Sequence, residues 1–232
     1  MTHELFERAK ELEGWMTSLR RAIHRNPELG MQEYQTTKLV KAELEKIGAK
    51  IKDIGLETGV LGLIEGTGEG PVTGLRADMD ALPLIERTGL DYASQNKGIM
   101  HACGHDGHTA ILLGAAKILS EMKNRFKGLV KFIFQPAEEG LGGAAKMVEA
   151  GVLKDPDVTT VIALHGWPFL EVGKIGVCNG PFTASADKFS ITVHGRGGHG
   201  AYPHKAVDPV LAACHLVATL QQVASRQIDP VE

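Results

Sequence analysis

Three apolar runs, residues 72–76, 129–134 and 158–164, each stop at polar residues that a packed strand has little use for. Asp78 and Asp80 follow the first, Glu138 and Glu139 the second, and His165 the third. Runs of this length, rich in Val, Ile, Leu and Phe, suit strands buried on both faces. Between them lie helical patterns: 107–122, with Ala110, Leu113, Ala116 and Leu119 among its apolar positions, and 143–149, closing at Gly151. Strands alternating with helices imply an α/β sheet, and polar residues gathered at strand C-termini put its site along that edge.

The flanks extend this frame. Residues 4–25 carry Leu5, Leu12, Trp15, Leu19 and Ile23 on one helical stripe, ended by Asn26 and Pro27. A second helix is expected over 33–47, stopping at Gly48, and a strand over 59–65. Composition shifts near Gly180 and Pro181. Beyond them 187–194 alternates through Phe189, Ile191 and Val193, as a strand with one exposed face does. A Gly-rich loop spans 195–200, and Asp208 with Pro209 opens a helix through Val223. One strand, one loop and one helix do not make a domain. The expectation is therefore one domain over 1–180 and the first half of a second over 181–232, cut off or never completed.

Lys+Arg is 25 and Asp+Glu 28, net -3, so no basic excess is available to displace counterions from a nucleic acid. No apolar run approaches the roughly 18 residues of a membrane span. The charged residues 1–10 lack the apolar stretch of a secretory signal, and the three cysteines are too few for a disulfide framework. A reducing, cytoplasmic setting is expected, with Cys178 and Cys214 as small buried hydrophobes.

The densest chemistry is His101, Cys103, His105, Asp106 and His108, at the turn into the 107–122 helix. Thiolate and imidazole are ligands for a borderline metal such as zinc, and Gly104 permits the bend that lets two donors converge. Asp106 and His108 would then fix imidazole tautomers. The plainer alternative is a His-rich helix start with a buried Cys. Adjacent Glu138 and Glu139 repel each other unless a cation is near; one would bind it and the other act as general base. Their alternative is a solvated acidic loop. His165 ends a third strand on the same edge, and Asp80 is placed to orient a ligand imidazole. Asp78 reads equally as an Asx-type turn. The glycines around His199 suit an oxyanion site, since their spacing fits no phosphate-binding loop. No nucleophile elbow for a serine hydrolase is present.

Five segments occur in order: 21–30 with His24, Pro27 and Glu28; 74–83 with Asp78, Asp80 and Pro83; 100–108 with His101, Cys103, His105 and His108; 134–140 with Glu138 and Glu139; and 198–204 with His199 and His204. Together they resemble the hippurate hydrolase and auxin-conjugate hydrolase branch of the aminoacylase and carboxypeptidase metallopeptidase family. The resemblance implies a three-layer αβα catalytic domain with a mixed sheet, interrupted by an α+β lid domain that dimerises through segments here falling at 188–194 and 209–223. It implies two divalent metal ions (Mn, Zn, Ni or Co) held by Cys103, His105, Glu139 and His165, with Cys103 as bridge. Glu138 falls on the general acid/base, His199 on the lid histidine that stabilises the oxyanion, and Asp80 on the support of a ligand. Other branches place a metal-binding His where this chain has Asp78. The implied reaction is hydrolysis of an N-acyl amino acid to an acid and an amino acid. Alternatives are a dipeptidase or carboxypeptidase of the same family, or an inactive remnant that binds metal or a partner. Full-length relatives return to the catalytic domain after the lid and supply a further ligand His, so this chain is expected to lack that ligand.

Overall fold

The computed structural model describes residues 2–181 and 188–227. The described chain divides into two compact units, Met1–Val172 and Gly173–Glu232. The first holds a five-stranded mixed sheet in the order β1-β2-β4-β3-β5. Its strands are β1 (Lys50–Lys52), β2 (Val60–Glu65), β3 (Val72–Asp78), β4 (Leu129–Gln135) and β5 (Thr160–Ala163). β3 runs parallel to both β4 and β5, whereas β2 is antiparallel to β4 and to β1. The C-terminal ends of β3, β4 and β5 therefore lie at one edge, with Asp78 opposite Gln135 and Arg76 opposite Ala163.

Side chains alternate across a strand, so β4 feeds two cores. Phe132 and Phe134 enter a large cluster with Leu19, Val40, Leu44 and Leu113; Ile133 enters a smaller one with Leu61, Met147 and Val152. The first cluster is covered by α2 (Glu13–Arg25), α3 (Tyr34–Ile47) and α4 (His105–Glu121), the second by α5 (Gly143–Glu149). Helices thus flank both faces, and both faces of β4 are dry. The expected helix over 4–25 is divided into α1 (Thr2–Glu11) and α2. At the join, the Leu12 N–H is shared between the Arg8 and Ala9 carbonyls, the tightened geometry of a helix end.

In the second unit α6 (Pro209–Gln222) begins where expected: the Asp208 side chain accepts from the N–H groups of Val210 and Leu211. The expected strand over 187–194 is corrected. Asp187 lies outside the described residues, and 188–194 form no ladder among the described residues. A strand needs a neighbour for its N–H and C=O groups, and the nearby backbone pairing is one bridge between Arg196 and Val207. Cys178 and Cys214 are exposed, not buried, because the described residues of this unit form no sheet to cover them. Among the described residues no helix is long and apolar enough to cross a membrane.

Two positions on α4 test where the core lies. Leu113 is fully buried and Ile111 is 45% exposed. Leu113→Ala is expected to lower unfolding free energy by about 2–5 kcal/mol, and Ile111→Ala by less than about 1 kcal/mol, in urea denaturation.

Candidate metal centre

The site is built where β3, β4 and β5 end. β3 delivers Asp78 and, just beyond it, Asp80. The turn into α4 delivers Cys103 and His105, with Gly104 between them in the left-handed region (φ +87), a conformation that a residue with a side chain rarely adopts. The loop after β4 carries Glu138 and Glu139, and the segment after β5 carries His165.

Hydrogen bonds fix the imidazoles. His105 Nδ1 meets Asp80 Oδ1 at 3.2 Å, which puts the ring proton on Nδ1 and leaves Nε2 as a lone pair. That Nε2 is buried with no hydrogen-bond partner. His165 Nδ1 is held by the Gly166 carbonyl at 2.8 Å, and its Nε2 lies 3.4 Å from the Cys103 Sγ. His105 Nε2 is 3.9 Å from Glu139 Oε1. Donor atoms of Cys103, His105 and His165 lie within 4.8 Å of one another, as do those of His105, Glu138 and Glu139. That spacing is about twice a metal–ligand bond of roughly 2.0–2.3 Å. The unpartnered His105 Nε2, the His165 Nε2 beside the Cys103 thiol, and two carboxylates facing one space fit a divalent transition metal.

A third cluster, Asp78, His105 and His108, is equally compact but has another purpose. His108 Nε2 accepts the Gly166 N–H at 2.9 Å, and its Nδ1 donates to Asp78 Oδ1 at 2.7 Å. Both ring nitrogens are used, so His108 holds the segment next to His165 and has no lone pair to offer. Asp78 is held in turn by Arg76 at 2.7 Å. Asp106 does not meet His105: its Oδ2 takes His24 Nδ1 at 2.8 Å and Arg20 Nε at 3.1 Å. His101 is buried with neither ring nitrogen partnered. Burial, chiefly, brings its pKa down to about 4, so it sits there neutral.

The electrostatics are those of a site short of positive charge. Burial works against ionised Asp78, yet the His108 hydrogen bond, Arg76 and His105 outweigh it and bring the pKa to about 2. Burial likewise opposes ionised Asp80, but His105 and the Glu139 and Glu138 amides hold it low. Burial disfavours a charged His105, and Asp80, Asp78 and Glu139 nonetheless raise it. Burial and then Glu139 push the Cys103 thiol up to about 12. A bound cation would resolve this conflict by stabilising the thiolate.

Of the residues singled out in the sequence, the structure brings together Asp78, Asp80, Cys103, His105, Glu138, Glu139 and His165. His199 belongs to the second unit, where its Nδ1 accepts the Ala201 N–H at 3.1 Å. Sequence reasoning missed His24 as the partner of Asp106, and it missed Glu33. Glu33 is wholly buried and accepts the Ala137 N–H at 2.7 Å. No spacing signal marks either contact, since each joins residues far apart in the chain.

Residues 74–232 match the model for peptidase family M20/M25/M40. The chain is 46% identical over 221 residues to an N-acetyl-L-cysteine deacetylase of Bacillus subtilis, covering 95% of this chain and 53% of that protein. It is 48% identical over 227 residues to IAA-amino acid hydrolase ILR1-like 2 of Arabidopsis thaliana, covering 98% and 51%. Among solved structures, a Bacillus subtilis protein described as a dinuclear metal binding peptidase from the M20 family superposes with a TM-score of 0.72. It is 47% identical, over 74% of this chain and 48% of that one. The chain thus spans about half the length of the curated relatives it matches.

The raised thiol pKa has a direct consequence. In metal-free protein near pH 8, iodoacetamide is expected to modify exposed Cys178 and Cys214 at least about tenfold faster than Cys103, read by peptide mass spectrometry. Equal rates would contradict the electrostatic picture of the site.

Proposed function

The chain belongs to peptidase family M20/M25/M40, and on that premise we propose that it carries the site of a metal-dependent amidohydrolase. The substrate is an N-acyl amino acid, which water splits into a carboxylic acid and a free amino acid. The observation that carries this reading is the buried, unpartnered Nε2 of His105, aimed at the same space as Cys103, His165 and the Glu138–Glu139 pair. Names of relatives at 46% and 48% identity, one a deacetylase of an N-acetyl amino acid and one an amino acid conjugate hydrolase, support the substrate class.

In this reading Cys103, His105, Glu139 and His165 hold two divalent ions of the Mn, Zn, Co or Ni class. When bound, such ions supply the Lewis acidity that makes water and an amide carbonyl reactive. Glu138, exposed at the strand edge and beside the donor set, accepts the proton of the attacking water and returns it to the leaving amine. Asp80 keeps His105 in the tautomer whose Nε2 is free. The Asp78–His108 pair holds the Gly166 amide, and with it the backbone carrying His165. His199 is read as the donor to the developing oxyanion. The Ala201 N–H occupies its Nδ1, so its proton sits on Nε2, as that role requires.

The second unit is read as a lid that pairs with a second copy of itself. An apolar groove between Phe189, Ile191 and Val193 and the α6 residues Leu216, Val217 and Leu220 supports this. The protein is assigned to the cytoplasm on its thiol usage.

Turnover is tested with benzoylglycine, acetylated amino acids and unblocked dipeptides, each with added manganese, zinc, cobalt or nickel. Whatever turnover is seen is expected to favour the acylated series; cleavage of the dipeptides alone would replace this reading with that of a dipeptidase. Glu138→Gln is expected to keep its metal content and lower turnover by at least about 100-fold. A near-normal rate would remove Glu138 from the chemistry.

A further inference from the structure

Glu33 stands at the N-cap position of α3 but does not cap it. The capping is done by Glu28, whose two carboxylate oxygens accept the N–H groups of Gln35 and Thr36 and the Thr36 hydroxyl, each at 2.9 Å. Glu33 is thereby free to leave its helix. Its Oε1 reaches the Ala137 N–H, 104 residues along the chain, at 2.7 Å.

Ala137 is the residue immediately before Glu138 and Glu139, and its backbone is unusual. Its φ is +50, in the left-handed region that a residue with a Cβ avoids. Such a conformation persists only where its surroundings over-determine it. Here they do. The Glu139 N–H is held by Asp80 Oδ2 at 3.0 Å, and the Gly143 N–H by the Ala137 carbonyl at 3.1 Å. Gly143 leaves no slack, since a Cβ there would stand 1.7 Å from the Pro136 carbonyl oxygen. The left-handed turn at Ala137 sets the direction in which the next two side chains leave the backbone.

We infer that Glu33 is a positioning residue. By holding the Ala137 amide it fixes the strained turn that aims Glu138 and Glu139 at the metal centre. This rests on the reading of Glu138 as proton acceptor and Glu139 as metal donor. What the turn needs is an acceptor atom at the place of Oε1. Burial pushes the Glu33 carboxyl up toward its neutral form, against the Glu33 and Ala137 amides and the Thr58 hydroxyl, and a neutral carboxyl accepts at Oε1 equally well.

The test compares Glu33→Gln, which keeps that acceptor and removes the charge, with Glu33→Asp, which keeps the charge and withdraws the acceptor. Amide hydrogen exchange over 136–140 is read in metal-free protein, and cobalt affinity by titration. In Glu33→Asp, exchange at Ala137 is expected to rise at least about tenfold and cobalt affinity to fall about tenfold, with β4 and α4 protection unchanged. Glu33→Gln is expected to stay within about threefold of the parent protein in both. Adding Ala137→Gly to Glu33→Asp removes the penalty of the left-handed turn and is expected to recover most of the lost affinity. A purely space-filling role for Glu33 would show no such rescue. Unchanged Ala137 exchange in Glu33→Asp, or a Gln variant as impaired as the Asp variant, would overturn the inference. Should Glu33→Asp fail to fold, Glu33→Gln decides: retained protection at Ala137 supports the hold, and lost protection refutes it. A parent protein that binds no cobalt would sink the reading of the metal centre, while the exchange measurement still judges Glu33.

Discussion

The Asp80 carboxylate is the contact through which the separate parts of the site become one. Oδ1 takes His105 Nδ1, and Oδ2 takes the Glu139 N–H. A single group beyond the end of β3 thus sets a ring at the start of α4 and a loop after β4. Asp80 is 2% exposed, so both bonds form where water does not compete for them. The parallel pairing of β3 with β4 brings these groups within reach, because it puts both strand ends at one edge. Asp78, one pleat earlier, does the same on the other side, joining Arg76, His108 and through His108 the Gly166 amide.

Around these anchors negative charge is concentrated. Four carboxylates, those of Asp78, Asp80, Glu138 and Glu139, and one thiol converge on the edge, and Arg76 is the fixed cation that answers Asp78. Burial first, and then the Glu139 charge, push the Cys103 thiol up, while Asp80, Asp78 and Glu139 raise His105 against its burial. Sites built for stability alone pair such groups or replace them with apolar ones. Here Asp78 and Asp80 are paired, while Glu138, Glu139, the Cys103 thiol and the unpartnered His105 Nε2 face one space, a donor set that suits a cation.

Much of this was legible in the sequence because the signals are local. Apolar runs over 72–76, 129–134 and 158–164 gave away the strands that end at Asp78, Gln135 and Ala163, and with them the edge. The dense cluster from His101 to His108 marked the turn into α4. Partner choice was not legible, since it is decided by which strands lie side by side. Asp106 is adjacent to His105 in sequence, yet on the helix it points to His24 and Arg20, and it is Asp80, from another element, that meets His105. Glu33 escaped notice for the same reason: as a residue at a helix start it looks like an ordinary surface acid, and only the packed fold shows it wholly buried against Ala137. The alternation over 187–194 suggested a strand, but alternation reports only that one face is apolar. Whether a ladder forms depends on a neighbour, and none is paired with 188–194 among the described residues.

X-ray absorption at the zinc edge of the zinc-loaded protein tests the centre most directly. A sulfur scatterer at about 2.3 Å together with nitrogen or oxygen at about 2.0–2.2 Å is expected, with the sulfur lost in Cys103→Ser. A first shell of oxygen and nitrogen alone in the parent protein would contradict the assignment of Cys103, and with it the donor set on which the proposed chemistry stands.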